Sequence, residues 1–295
     1  MSTRHYLPNT AANTLVPGAL RALTTATPHL SLDEGRRVVS NVHHDQSQVS
    51  IVGGGGSGHE PAWSGYVGSG LLLAAACGDI FASPSASQVL AAMEAVPSEK
   101  GTILLITSYT GDRLHFGLAA EKARAKAAAS GQYCNGKVGI VAATDDVSIG
   151  RTAENWLFDD CVRLAEAVNA QTVSIGSALD HCHVPGRKHQ SIAEDTCIIG
   201  AGIHNEPGRR MLTPFPPVDE IIKECLGLLC DQDDPERGFV KVDSSDEIVM
   251  LINNYGGLSI LELGALTDKV HSFRSGTASS LAVQWSAHYR RLLMP

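Results

Sequence analysis

The sequence predicts an α/β fold in which helices pack on largely parallel or mixed sheets. Two short, continuous apolar runs, at 102–106 (TILLI) and 138–143 (VGIVAA), have the pattern of buried parallel strands. Segments with helical periodicity alternate with such runs along the chain. This alternation is typical of a doubly wound layer, in which the carboxyl ends of the strands share one edge and ligands bind there.

The individual elements are predicted from their local patterns, taken in chain order. A capping-box-like start at Ser31 predicts a short helix, and an apolar, β-branched run predicts the first strand at 49–52. A helix is predicted at 85–96, with Ser85 or Ser87 as its N-cap. The remaining predicted elements are helices at 116–129, 157–170 and 218–230 and a strand at 247–252.

The chain is long enough for two domains. Prolines, glycines and basic residues are concentrated near 185–195, which is typical of a segment between domains. We therefore expect an N-terminal α/β domain at 1–190 and a smaller α/β domain at 191–295. No clear periodicity is found after about residue 272.

Composition and charge argue against several classes of protein. The hydrophobic content of 43% and a mean hydropathy near zero are typical of a soluble globular protein, and the longest apolar stretch, 71–77, is too short to span a bilayer. A formal net charge of -8 argues against nucleic acid as a partner. Seven scattered cysteines without a CxxC motif predict reduced thiols in the cytoplasm. The tripeptide His181-Cys182-His183 lacks a second ligand pair, so no metal site is predicted.

A glycine-rich stretch, 53–58, follows the first predicted strand and leads into His59. Three of its glycines satisfy the GxGxxG dinucleotide fingerprint, and Asp79 lies about twenty residues on, so an NAD-dependent oxidoreductase is one interpretation. That fingerprint needs a helix whose N-terminus meets the pyrophosphate. A proline costs about 3 kcal/mol inside a helix and a glycine about 1 kcal/mol, and this region contains four such residues: Pro61, Gly65, Gly68 and Gly70. The dinucleotide interpretation is therefore the weaker one.

Two histidines, His59 and His204, stand in similar surroundings. Each follows a glycine within two positions and is itself followed within two positions by Glu-Pro, which predicts rigid turns. A histidine and a carboxylate such as Asp112 can transfer protons while a second, neutral histidine acts as nucleophile. The alternative is that both histidines only form structural hydrogen bonds. The adjacent glutamates, Glu60 and Glu206, are predicted to brace backbone amides.

Five short motifs occur in a fixed order: GGGSGHEP at 54–61, FASPS at 81–85, YTGDR at 109–113, DDV at 145–147 and GIHNEPG at 202–208. In this set the sequence resembles the substrate-binding K domain of the dihydroxyacetone (glycerone) kinases, over about residues 5 to 272. The segment 179–186 is similar to the fungal members. The resemblance implies a K-domain fold, with two α/β layers, and a homodimer.

The resemblance also implies roles for individual residues. His204 would form a covalent hemiaminal with the ketone carbon of dihydroxyacetone or a similar short ketose, and His59 and Asp112 would be the acid/base pair. Substrate contacts would come from the glycine-rich stretch and the end of the second apolar strand: Gly56, Ser57, Gly58 and Thr107. ATP and Mg²⁺ would be co-substrates, held by a nucleotide-binding L domain that is not recognised in this sequence and is expected on a partner.

Departures from the family pattern leave two functions open. Thr107-Ser108 replaces the usual Lys-Asn, and His115 stands where the family has asparagine. The chain is also shorter than the family between Arg151 and Leu164, and the resemblance fades after Ser272. The sequence is therefore compatible with a ketose kinase that works with an L-type partner. The second reading is a repurposed K-like protein that binds or senses carbonyl compounds.

Overall fold

The computed structural model describes residues 12–130, 137–144, 157–181, 191–236, 238–243, 246, 248–255, 257–274 and 281–286. The chain forms two compact units, the first running to Thr172 and the second beginning at Val173. This division falls earlier in the chain than the boundary that the composition suggested at 190.

A six-stranded mixed sheet forms the centre of the first unit. Its strands are β1 (Leu30–Asp33), β2 (Val38–Asn41), β3 (Ser50–Ser57), β4 (Ala74–Ile80), β5 (Thr102–Thr107) and β6 (Val138–Ala143). They lie in the order β1-β2-β4-β3-β5-β6. The last four are parallel to one another, while β1 and β2 form an antiparallel edge. The predicted α/β class is confirmed.

Helices cover both faces of this sheet: α1 (Ala12–Ala26), α2 (Ala86–Ala95), α3 (Thr110–Ser130) and α4 (Phe158–Ala170). Side chains of α2 and α3 pack with Val52 and Leu104 in one buried cluster. Side chains of α1 and α4 pack with Ile51 and Ile103 in another. Neighbouring strand residues point to opposite faces, so each continuous apolar run feeds both cores.

The helix predicted to begin at Ser31 is wrong. That segment is β1, which pairs with β2, and Leu30, Val38 and Val39 are buried. Asp33, at the end of β1, stabilises the turn that follows: its carboxylate accepts a hydrogen bond from the Arg36 N–H at 3.0 Å. A side chain that bonds its own backbone a few residues on stabilises a turn as readily as a helix start.

The other predicted elements of the first unit are confirmed. Ser85 is the N-cap of α2, and it forms a capping box in which its hydroxyl accepts from the Gln88 N–H while the Gln88 side chain accepts from the Ser85 N–H. The helix predicted at 116–129 begins earlier, at Thr110, so Asp112 lies in its first turn.

The second unit contains short strands and two helices. Strands β7 (Ser177–Ala178), β8 (Cys197–Ile199) and β9 (Arg210–Leu212) form an antiparallel sheet, and β10 (Ile248–Asn253) pairs in parallel with β11 (Leu281–Ser286). The helices are α5 (Val218–Cys230), at the predicted bounds, and α6 (Ile260–Arg274). A small buried cluster joins Cys197 and Ile199 to Leu228 of α5.

No helix in the described residues is both long and apolar enough to cross a membrane. The cysteines within those residues are free thiols, namely Cys77, Cys161, Cys197, Cys225 and Cys230. Burial raises the pKa of the Cys77 thiol to about 12, so this side chain stays protonated inside the sheet.

Candidate functional site

The glycine-rich stretch is part of a strand, not a loop. The sequence pattern ended the strand at 52, whereas β3 continues through Ser57. Its glycines admit close neighbours: a Cβ on Gly53 would lie 2.7 Å from Leu72, and one on Gly54 would lie 2.4 Å from the carbonyl oxygen of Ala76. A Cβ on Gly55 would lie 2.5 Å from the indole nitrogen of Trp63. These glycines therefore serve close packing within the sheet.

The dinucleotide fingerprint lacks its helix. Residues 58–73, all of them described, join β3 to β4 through a short 3₁₀ turn at Ser64–Tyr66 and contain no α-helix. Asp79, the acidic residue at the fingerprint's spacing, forms an ion pair with Arg37. The stretch therefore does not have the structure that binds a pyrophosphate at a helix N-terminus.

His59 lies just beyond the carboxyl end of β3, on a turn that its neighbours fix. Gly58 has a φ of +105°, a conformation that glycine adopts without strain, and its N–H donates to the Glu60 carboxylate at 3.1 Å. The buried Ser57 hydroxyl donates to the Gly78 carbonyl at 3.0 Å. The His59 ring stacks on Phe81, with centroids 6.3 Å apart and planes inclined by 21°.

Asp112 is the buried carboxylate of this region, 2% exposed. It stands in the first turn of α3, where the helix dipole favours a negative charge. The Thr107 hydroxyl, at the end of β5, donates to Asp112 Oδ2 at 2.6 Å. The other oxygen, Oδ1, is buried and accepts no hydrogen bond from the described residues. Burying an acceptor without a hydrogen bond is unfavourable in free energy, so a ligand group or a water molecule is expected at this atom.

His204 lies in the second unit, in the loop between β8 and β9. Its N–H donates to Glu206 Oε2 at 2.9 Å, and its ring nitrogen Nδ1 is 3.6 Å from Glu206 Oε1. The same carboxylate fills the space beside Gly202, where a Cβ would lie 2.0 Å from Oε2. In both histidine turns a glutamate thus binds the N–H two residues before it. The prediction that Glu60 and Glu206 brace backbone amides is confirmed.

The predicted site residues fall in both units. Topology brings six of them to the carboxyl ends of the neighbouring strands β3 and β5 or to the start of α3: His59, Asp112, Gly56, Ser57, Gly58 and Thr107. His204 belongs to the second unit. The two aspartates of the DDV motif, Asp145 and Asp146, lie outside the described residues, as do Cys182 and His183.

Phe81 is a residue of this site to which the sequence assigned no role. Its φ is +50°, which is uncommon for an aromatic residue and often marks a functional site. Its N–H donates to the Ser57 carbonyl at 2.9 Å, which holds its ring over His59. Nearby, His115 Nδ1 lies 2.7 Å from the Pro84 carbonyl oxygen, on the same loop. The FASPS motif marked this loop, but only tertiary packing reveals the stack.

Comparisons with known proteins agree on one family. A family model described as the Dak1 domain matches residues 21–157 and 150–289. Dihydroxyacetone kinase from Pichia angusta is 38% identical over 309 residues, which cover 92% of this chain and 49% of the relative. Mouse triokinase/FMN cyclase is 35% identical over 291 residues, covering 90% of this chain and 48% of that protein. The chain therefore spans about half the length of these curated relatives.

Solved structures share the fold. The crystal structure of dihydroxyacetone kinase from C. freundii in complex with AMP-PNP and Mg²⁺ matches with a TM-score of 0.77 and 29% identity, over 95% of this chain and 54% of that one. The dihydroxyacetone kinase operon co-activator DhaQ matches with a TM-score of 0.76 and 25% identity, over 91% of this chain and 86% of its own. The two neighbours differ in how much of their own length the shared fold occupies.

Proposed function

The chain belongs to the Dak1 domain family, the K domain of dihydroxyacetone kinases, and on that premise we propose that it is the substrate-binding part of a ketose kinase. Its substrate is dihydroxyacetone or a similar short ketose, bound as a covalent hemiaminal. The residues that we assign to this chemistry are His204 for the covalent bond and His59 with Asp112 for proton transfer.

The observation that carries this proposal is the carboxylate of Asp112. One of its oxygens accepts a hydrogen bond from Thr107, and the other is buried with no hydrogen-bond partner among the described residues, at the sheet edge where doubly wound proteins bind ligands. An unsatisfied acceptor of this kind suits a substrate hydroxyl, whose proton it can accept in a hydrogen bond and then in catalysis. His59, at the end of the neighbouring strand, supplies the second titratable group.

The covalent step is an addition in which nothing leaves. The edge of the His204 ring that carries Nδ1 faces Glu206, so we assign the new bond to Nε2. Its lone pair attacks the ketone carbon, the carbonyl electron pair moves to oxygen, and His59 and Asp112 exchange the protons. Overall, one proton moves from the imidazole to the former carbonyl oxygen. Only a carbonyl forms this adduct, so ketoses are selected over polyols such as glycerol, and the adduct orients a hydroxyl for phosphoryl transfer.

The described residues do not fit a nucleotide with its magnesium ion. They contain no group of three His, Cys, Asp or Glu side chains placed to hold a metal, and no α-helix lies between β3 and β4. In the proposed reaction, ATP therefore does not bind to these residues. We assign ATP and Mg²⁺ to an L-type nucleotide-binding domain, on a partner or elsewhere in the protein, and expect the Dak1 chain to act as a homodimer.

The test is to follow dihydroxyacetone labelled with ¹³C at its ketone carbon by NMR, together with the intact mass of the protein under native conditions. We expect the carbonyl signal to be replaced by that of a protein-bound sp³ carbon, with the mass raised by one substrate. His204→Ala should abolish both changes. His271→Ala, which removes an exposed histidine on α6 of the same unit, should leave them intact. An adduct that persists in His204→Ala would overturn the assignment.

A second candidate function is a carbonyl-binding sensor without kinase activity. It is favoured by the match to the DhaQ co-activator, which shares the fold with a TM-score of 0.76, close to that of the kinase at 0.77. Adding ATP, Mg²⁺ and an L-type domain from a fungal relative separates the two functions. Phosphorylated ketose that depends on His204 supports the kinase. An adduct that is never phosphorylated supports the sensor.

A further inference from the structure

We propose that Arg209 and Asp234 are positioning residues for His204. Asp234 lies in the loop after α5, and its side chain is 1% exposed. The Arg209 guanidinium, at the end of the loop that carries His204, reaches it with Nη2 2.5 Å from Asp234 Oδ2. The proposal rests on the proposed function, since it concerns the histidine assigned to the covalent bond.

Asp234 is a fixed anchor because its own loop is wound tightly around it. Its Oδ1 accepts from the Glu236 N–H at 2.9 Å, and its carbonyl accepts from the Gly238 N–H at 2.8 Å. Gly238 leaves no room for a side chain, since a Cβ there would lie 2.5 Å from the Gln232 carbonyl oxygen. A buried carboxylate held in this way requires its cation at a defined position.

Arg209 is also the residue that closes the His204 loop. Its backbone N–H donates to the Ile199 carbonyl at 2.8 Å, which joins the two ends of residues 200–208. Both ends of the loop require glycine. Gly200 has a φ of +78°, which other residues rarely adopt, and a Cβ on Gly208 would lie 2.0 Å from Ile198 Cγ2. The side chain of Arg209 thus ties the base of the loop to the Asp234 anchor.

The turn at the tip of the loop carries this constraint to the imidazole. The Asn205 N–H donates to the Gly202 carbonyl at 3.2 Å, and Glu206 holds the His204 N–H, so residues 202–206 form a closed turn. A displacement of the base therefore moves the His204 ring. The reaction tolerates little displacement, since a misplacement of about 1 Å can cost a factor of about a hundred in rate.

The neighbouring residue, Arg210, provides a matched control. It too forms an ion pair, with Glu224 of α5. Both arginines are partly exposed, 53% for Arg210 and 40% for Arg209, but the Glu224 side chain is 30% exposed whereas that of Asp234 is 1% exposed. Water and salt screen such a pair, so its loss has little effect. Removing the cation from Asp234 instead leaves a buried charge uncompensated. The same substitution at adjacent positions therefore has different expected consequences.

The experiment compares Arg209→Gln with Arg210→Gln in the full chain, using the rate of adduct formation with ¹³C-labelled dihydroxyacetone. We expect Arg209→Gln to slow the adduct by about ten- to a hundredfold and Arg210→Gln to change it by less than about twofold. The ¹⁵N signals of the His204 ring should shift in the first variant and stay in place in the second. Wild-type rate and unshifted His204 signals in Arg209→Gln would overturn the proposal.

A conservative pair of variants decides the question where Arg209→Gln does not fold. Arg209→Lys keeps a cation beside Asp234 but loses the planar guanidinium, so we expect this variant to fold. We expect it to form the adduct more slowly than wild type and measurably more slowly than Arg210→Lys. Equal rates in the two lysine variants would overturn the proposal. Failure of the proposed function itself is distinguishable, because then the wild-type chain would form no adduct or the adduct would survive His204→Ala. In either case the ¹⁵N signals of the His204 ring still test the positioning role, which unshifted signals in Arg209→Gln and Arg209→Lys would overturn.

Discussion

Asp112 combines two features that conflict in a purely structural residue. Its carboxylate is buried, yet one of its oxygens accepts no hydrogen bond within the part of the chain that the structure describes. The other oxygen accepts a hydrogen bond from the Thr107 hydroxyl, a short neutral donor. An unsatisfied buried oxygen of this kind is rare in a residue that only stabilises the fold, so Oδ1 of Asp112 is the atom that we expect to contact a ligand.

Asp112→Asn tests this interpretation. The amide has almost the same shape but cannot act as a base, so we expect adduct formation to slow by about 10²- to 10⁴-fold. The midpoint of thermal unfolding should stay the same or rise, because a neutral group replaces an unsatisfied carboxylate in the interior. Both quantities are measured by ¹³C NMR and calorimetry.

Thr107→Val is the matched control for that variant, since it removes the hydroxyl that donates to Oδ2 and keeps the volume. It should slow the adduct less than Asp112→Asn and lower the unfolding midpoint. An Asp112→Asn variant that reacts at the wild-type rate would remove Asp112 from the mechanism.

The strand β3 shows how one element serves both packing and function. Its glycines bring β4, Trp63 and Phe116 within distances that a side chain would not allow. That close packing keeps the strand largely buried up to Ser57, although its register with β4 shifts between Gly55 and Ser57, and His59 follows at the sheet edge. The glycine run therefore acts through the space it leaves for neighbours rather than through a flexible loop.

Gly54→Ala and Gly117→Ala distinguish a glycine that is needed for close packing from one that has open space beside it. A Cβ on Gly54 would lie 2.4 Å from the Ala76 carbonyl oxygen, so we expect a loss of about 1–3 kcal/mol or more in the free energy of unfolding. A Cβ on Gly117, in α3, meets nothing within 4 Å, so that alanine should stabilise by up to about 1 kcal/mol. Denaturant titrations measure both, and a stabilised Gly54→Ala would contradict the packing role of β3.

The two units differ in the size of their cores. The first has a large buried cluster on each face of its central sheet. In the described part of the second, the buried cluster is small and is built from Cys197, Ile199 and Leu228. Because stability grows with the apolar area that a unit buries, the first unit is the more independent of the two.

Residues 1–172 expressed alone should therefore fold and unfold in one cooperative transition, whereas residues 173–295 alone should be much less stable. Circular dichroism during heating measures both. The first fragment should form no covalent adduct with dihydroxyacetone, because it lacks His204. A fragment 1–172 without a cooperative transition would show that its sheet and helices need the second unit.

The sequence by itself determined the elements whose signal is local. The apolar runs of β5 and β6, the capping box at Ser85 and the amphipathic pattern of α5 each specify their own structure, because hydrophobic periodicity and helix caps act over a few residues. The glutamate braces beside His59 and His204 were predictable for the same reason, since each bond spans two residues.

Only the tertiary structure decided what depends on distant partners. The segment at Ser31 is a strand because β2 pairs with it, and the glycine run is a strand because Leu72, Trp63 and the backbone of β4 fill the space beside it. The stack of Phe81 on His59 and the buried Asp112 oxygen have no signature in the sequence. They arise from packing between segments far apart in the chain, which local patterns do not encode.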